Sequence, residues 1–446
     1  MINYCIVGMG VRGLSMYAED MVAQYQDVAR LTGVCDVNPG RVRYAQQILG
    51  PDVRGFTDFD TMLNEVPCDV VIVVTKDSTH ADFIVRALHR GKDVITEKPM
   101  TMAADQCRQI LKAEQETGHT VRVTFNYRYA PYKTEVKRLL RTGIVGDVHS
   151  VEFRWYLDTV HGADYFRRWH ARKENSGGLL VHKASHHFDL INWWLDREPE
   201  EVVAMGSRQY YQPQQHPGHG SRCTHCAVAE QCEFYLDLDR DPLLHALYRE
   251  NESFDHYYRD GCVFSETTDI EDTMSLLIRY PDRIQVTYAL TAATPFEGWQ
   301  VAFNGSLGRL EAFEGEAMVL EDDVRDFARR SDWNIRRAHD WRTVAAETLT
   351  SPDHLECRFY PLFGGVKTFS VPNVEEAHGG GDRRLKDDLF RGVAEDPLGH
   401  AANSRAGAMA LLVGIAANQS MAEHRFVRID ELLPAETLAS VPATHR

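Results

Sequence analysis

Six residues near the start, Gly8-Met9-Gly10-Val11-Arg12-Gly13, constrain this chain more than any other feature. They follow an apolar run, Tyr4-Cys5-Ile6-Val7, that reads as a strand. They lead into Leu14-Ser15-Met16-Tyr17-Ala18, which reads as the opening of a helix. Strand, glycine turn and helix in that order form the setting in which a dinucleotide lays its pyrophosphate over a helix N-terminus. Gly8 permits the tight turn, Gly10 lets backbone approach the phosphates, and Gly13 allows close helix–strand packing, with Val11 and Arg12 between them.

The next strand sharpens the choice of nucleotide. Leu31-Thr32-Gly33-Val34-Cys35 ends at Asp36, and an acid there accepts the ribose hydroxyls of NAD while repelling the 2′-phosphate of NADP. Arg41 and Arg43 lie close behind. They could soften that preference or simply lie on a solvated helix surface. Asp69-Val70-Val71-Ile72-Val73-Val74 is nearly continuous in apolar residues, as a strand buried on both faces requires. It runs into the polar loop Thr75–His80, at the strand end where such sheets bind ligands. A helix over 81–90, a short strand over 93–96, the tripeptide Glu97-Lys98-Pro99, a helix over 103–116 and a strand over 120–125 complete a regular βα alternation. The reading is an α/β fold with an N-terminal Rossmann dinucleotide-binding domain over 1–126.

The Gly8–Gly13 run, the Thr75–His80 loop and above all Glu97-Lys98-Pro99 resemble the Gfo/Idh/MocA oxidoreductase family, with glucose–fructose oxidoreductase and inositol dehydrogenase among its relatives. The resemblance covers the whole chain in layout, and its specific motifs lie before about residue 195. It implies that Thr75, His80, Glu97 and Lys98 join the glycines and Asp36 around NAD. It also implies that Lys98 lies near both nicotinamide and substrate, as the leading catalytic candidate.

Residues 127–446 then form a substrate and oligomerisation domain of α+β type, on an open, mostly antiparallel sheet. A helix is predicted over 132–142 and a strand over 150–158, with Tyr156 on it. The cluster Tyr165-Phe166-Arg167-Arg168-Trp169-His170 could cover a sugar ring or grip an anion, with Arg167 and Trp169 the substrate candidates, or could be a packed loop. Farther on, Gly177-Gly178 precedes His182, Lys183, His186 and Asp189. By resemblance, His186 falls on the family's catalytic histidine, while His182 stands where the family carries Asp. Helical spacing alone puts His182, His186 and Asp189 on one face. A histidine there can exchange protons near neutral pH. Asp189 could orient a histidine or cap local structure, and Lys183 could contact substrate hydroxyls.

The resemblance implies hydride transfer from a secondary hydroxyl of a sugar or sugar derivative to NAD, with Lys98 or His186 moving the proton and His182 beside them. His182 also keeps open an NAD-requiring glycoside hydrolase working through a transient 3-keto sugar. A non-catalytic NAD-bound scaffold is the third alternative.

Between about 210 and 264 lies an insertion with Cys223-x2-Cys226-x5-Cys232 and Cys262. That spacing predicts a structural zinc site, with His225 or His219 as substitute ligands; an iron–sulfur cluster, or unligated or disulfide-linked cysteines, are the alternatives. Beyond it, 274–280 and 283–290 alternate as a hairpin, with further strands over 299–303, 308–313 and 317–321. The run His378-Gly379-Gly380-Gly381-Asp382 borders the substrate pocket or forms a capped loop, ahead of a helix over 383–391. Another helix covers 404–421. Sheets of this kind pair between subunits in the family, so a homodimer or homotetramer is expected.

A formal net charge of -16 argues against nucleic-acid or anionic-membrane partners, and no apolar run reaches the length of about 18 residues that a membrane span needs. The first strand is expected to begin at Ile2, with no room for a signal peptide before it, so the cytoplasm is the default expectation.

Overall fold

The structure is a computed structural model that describes residues 1–215, 217–317, 353–374, 376–438 and 441. Six short, apolar strands form the first sheet: β1 (Ile2–Val7), β2 (Ala29–Cys35), β3 (Arg54–Phe56), β4 (Val70–Val73), β5 (Asp93–Thr96) and β6 (Val121–Val123). They are mutually parallel in the order β3-β2-β1-β4-β5-β6. Val7 pairs with both Cys35 and Val73. The carboxyl ends of β1, β2 and β4 therefore share one edge, where the strand order reverses. Doubly wound sheets bind ligands at that point.

The second sheet holds β7 (Val148–Asp158), β8 (Glu201–Ser207), β9 (Thr273–Arg279), β10 (Gln285–Thr294), β11 (Phe296–Gly305), β12 (Gly308–Ala317), β13 (His354–Pro361), β14 (Lys367–Pro372) and β16 (Val427–Arg428). Its order is β14-β13-β12-β11-β7-β10-β9-β8-β16, and every neighbouring pair is antiparallel except β7 with β10. The predicted hairpin is present, with Arg279 opposite Gln285 and Leu277 opposite Thr287. Along β9 the side chains alternate strictly between exposed and buried, the mark of a sheet covered on one face. The helices Ser185–Leu195 and Ser404–Glu423 supply that cover and pack on each other. At Gly414 a Cβ would collide with the Leu180 carbonyl, so only glycine lets the long helix lie this close to the 179–182 turn. The predicted strand over 317–321 lies, past Ala317, outside the described residues.

Two later segments return to the first sheet. The helix Gly381–Arg391 sets Phe390 edge-on against Tyr4, with ring centres 5.3 Å apart. The strand β15 (Ala402–Asn403) pairs antiparallel with β6. The insertion also folds onto this unit: Leu236, Leu238, Leu244, Leu247 and Tyr248 share an apolar cluster with Ile6, Leu14 and Ala45.

One local expectation changes. Residues 179–189 are not a single helix. A short turn, Leu179–His182, precedes the helix Ser185–Leu195, and the Ala184 N–H reaches back five residues to the Leu179 carbonyl at 2.8 Å. One extra residue in a turn rotates the next helix by about 100° at 3.6 residues per turn. His182, His186 and Asp189 therefore do not form one stripe.

Candidate active site

The edge formed by β1, β2 and β4 opens into a cleft of about 680 Å3 that reaches the second sheet's helices, a volume suited to a small organic ligand. At one end lies the glycine turn. Gly8 has φ +101, and a Cβ there would strike the Val74 carbonyl. A Cβ on Gly13 would strike the Gly8 carbonyl. The turn is thus closed on itself and open to the cleft. Asp36 follows β2, and its carboxylate accepts from the N–H groups of Met9 (2.8 Å) and Asn38 (2.9 Å) and from Arg41 Nη1 (3.1 Å).

The loops after β4 and β5 form the middle of the cleft. The His80 ring bridges the carbonyls of Thr75 and Pro99, each at 3.0 Å, and so ties the two loops together. The carboxylate of Glu97 accepts from Arg12 Nε and Tyr17 Oη, both at 2.7 Å. Against the cost of burial, those partners and Lys98 hold it below its ordinary value. Lys98 Nζ donates to the His182 carbonyl at 3.2 Å. Burial pulls its ammonium down to about 8, although Asp77 and Glu97 favour the charge.

Beside Lys98, His182 Nδ1 lies 2.5 Å from Asp77 Oδ2. Burial, with the charges of Lys98 and Arg168, holds His182 far below its ordinary value, so the ring is neutral. Burial also raises the Asp77 carboxyl well above its ordinary value, against the pull of Lys98, so the pair shares one proton; with that proton on Nδ1, Nε2 is a base. His186 sits apart. Its ring stacks on Tyr127 at 4.3 Å, and its buried Nδ1 has no hydrogen-bond partner among the described residues. Lys183 Nζ donates to the Tyr127 hydroxyl at 3.2 Å and lies over the Trp155 ring.

Gly8, Gly10, Val11, Arg12, Gly13, Asp36, Thr75, His80, Glu97 and Lys98 all line the cleft, as do Trp169, His182, Lys183 and His186. Three substrate candidates do not. Tyr156 packs on Phe296, and Arg167 donates to the Phe234 carbonyl at 2.9 Å. Asp189 is buried in a two-pronged pair with Arg128, at 2.7 and 2.5 Å, so it holds an arginine and not a histidine. Sequence reasoning missed Asp77, which reads locally as a helix-opening acid. It also missed His161, whose ring joins Glu297 (3.1 Å) to Tyr165 Oη (2.9 Å).

Comparison with known proteins places this geometry. Residues 2–125 match the oxidoreductase family's NAD-binding Rossmann fold, and residues 137–429 match its C-terminal alpha/beta domain. The chain belongs to the Gfo/Idh/MocA oxidoreductase family. YteT of Bacillus subtilis (strain 168), named as an oxidoreductase, is 34% identical over 98% of this chain and 100% of its own. Inositol 2-dehydrogenase of Rhizobium meliloti (strain 1021) is 30% identical over 40% of this chain and 51% of its own. Among solved structures, the WlbA dehydrogenase of Bordetella pertussis, in complex with NADH and UDP-GlcNAcA, has the same fold. It matches with a TM-score of 0.62 at 18% identity, covering 96% of this chain and 98% of its own. This Gfo/Idh/MocA member is an enzyme, an NAD-using oxidoreductase. Its glycine turn, too tight for any Cβ, and the Asp36 carboxylate fit that nucleotide.

The zinc expectation is corrected. Among the described residues, no group of three or more His, Cys, Asp or Glu side chains is arranged to hold a metal ion. Cys223, Cys226, Cys232 and Cys262 are free thiols around a cavity of only about 20 Å3. Cys223 Sγ accepts from the Leu236 N–H at 3.4 Å, and Cys226 Sγ from the Gly220 N–H at 3.3 Å. Burial pushes the Cys262 thiol up to about 11 and raises that of Cys232. Apolar packing against the first sheet, not a metal, secures this segment. No helix among the described residues is long and apolar enough to cross a membrane.

Proposed function

We propose that this enzyme oxidises a secondary hydroxyl of a sugar or sugar derivative. One observation carries the reading: Lys98 and the Asp77–His182 pair stand together in the cleft that begins at the glycine turn. The inositol dehydrogenase and the nucleotide-sugar-bound dehydrogenase among its relatives support the substrate class.

NAD, when bound, supplies the acceptor for the hydride. Every other task falls to the chain. Trp169 offers a ring face on which the C–H face of a sugar packs, and Lys183 and His186 meet its hydroxyls. His182 Nε2 takes the hydroxyl proton, and Asp77 stabilises the imidazolium that forms. The charged Lys98 ammonium stabilises negative charge on the oxygen as the C–H bond breaks and C=O forms. Preorganised donors of this kind contribute roughly 10²–10³ in rate.

A second reading, glycoside cleavage with NAD returned to its starting state, draws on His182 standing where the family carries Asp. A histidine ordinarily titrates nearer neutral pH than the carboxylate it replaces. One experiment separates the two. The protein is incubated with NAD and a panel of inositols, free sugars and methyl glycosides, following NADH absorbance and the sugars released. NADH equal to sugar consumed supports oxidation. Methanol release without NADH supports cleavage. Neither signal from any compound would contradict both.

A further inference from the structure

The nucleotide end of the cleft has a wall that the first domain does not supply. Arg41 lines the cleft beside Asp36, the acid that would accept the ribose hydroxyls of NAD. Its Nη1 donates to Asp36 at 3.1 Å, and its Nη2 donates to Asp255 Oδ2, from the insertion, at 2.5 Å. Its guanidinium lies near the rings of Tyr248 (5.5 Å) and Tyr257 (5.8 Å), both also from the insertion. The second arginine, Arg43, lies over the ring of Phe254 at 5.3 Å. The insertion also pins the turn itself: Asn38 Nδ2 donates to the Asn251 carbonyl at 3.0 Å, and the Val11 N–H donates to Tyr248 Oη at 3.1 Å.

The charges decide what this wall does. Asp36, Arg41 and Asp255 together carry one net negative charge. A 2′-phosphate would bring further negative charge to a cation already engaged by two carboxylates, and an available arginine is the usual means of accepting it. We propose that Asp255 is a cofactor-specificity residue, which holds Arg41 in place and so selects NAD over NADP from outside the Rossmann domain. The proposal deepens the NAD reading and rests on it.

The test is direct binding of NADH and NADPH to the full chain, read by nucleotide fluorescence, for the wild type, Asp255→Asn, Asp255→Ser, Arg41→Ala and the Arg41→Ala/Asp255→Asn double variant. Removing one buried-edge charge should tighten NADPH by about tenfold while changing NADH by less than about threefold, and the gain should vanish in the Arg41→Ala background. The proposal is overturned by unchanged NADPH binding in both Asp255 variants, by equal weakening of both nucleotides, or by a gain that survives loss of Arg41. Wild-type protein that binds neither nucleotide would instead sink the NAD reading itself.

Discussion

His182 Nδ1 lies 2.5 Å from Asp77 Oδ2, so a residue of the second domain and one at the start of the helix after β4 complete each other across the cleft. Neither alone sets the proton position. Asp77→Asn should lower kcat by about 10²-fold or more, within the range for a disabled general base, because an amide no longer stabilises the imidazolium. KM and NADH affinity should change little. Steady-state kinetics with a parallel NADH titration check this, and a loss confined to KM would contradict it.

In the proposed mechanism Lys98 acts through its charge, and burial brings its ammonium down to about 8. kcat/KM for sugar oxidation should therefore fall as pH rises through about 8, where the ammonium becomes an amine. In Lys98→Arg, whose guanidinium stays charged, the falling limb should move beyond the accessible range, at reduced overall rate. Lys98→Met should lose roughly 10²–10³ in kcat and show no limb at that pH. A wild-type profile that rises through this range would assign Lys98 the opposite role, that of base.

Gly13 has no room for a side chain against the Gly8 carbonyl. Gly13→Ala should cost about 1–3 kcal/mol of stability, as overpacking does elsewhere. It should also weaken NADH binding, because the turn must open to accept the methyl group. Melting temperature and NADH titration measure both, and an unchanged pair of values would mean the turn is looser than described.

Arg128 and Asp189 form a pair with almost no exposure. Asp189→Ala leaves an uncompensated buried charge, a loss of roughly 3–5 kcal/mol. Urea denaturation should show that loss, while the folded fraction keeps its NADH affinity because Asp189 does not line the cleft. Weakened NADH binding at full stability would contradict the assignment.

Features written locally were legible in the sequence. The apolar run 69–74 marked a strand buried on both faces, and the strict alternation of 274–280 marked a sheet covered on one side. The glycine turn and Asp36 came from chemistry confined to a few neighbouring residues. Asp77 was not legible, because its partner is 105 positions away and its own surroundings suggest only a helix start. The break at 183–184 carries no glycine or proline, so periodicity runs straight through it and aligns three residues that the fold separates. Spacing brought four cysteines together, yet among the described residues they do not form a metal site, and Cys223 and Cys226 accept from backbone N–H groups instead. Asp255 meets Arg41 across 214 positions, a contact only the folded insertion creates.

The most direct test tracks the transferred hydrogen. The most active sugar of the panel, carrying deuterium on its ring carbons, is mixed with enzyme and NAD, quenched within one turnover, and the nucleotide analysed by mass spectrometry. The account predicts NADH one mass unit heavier, with the deuterium on the nicotinamide ring, and loss of that label in Asp77→Asn and Lys98→Met over the same interval. Turnover of the sugar with no deuterium in the nucleotide would contradict it.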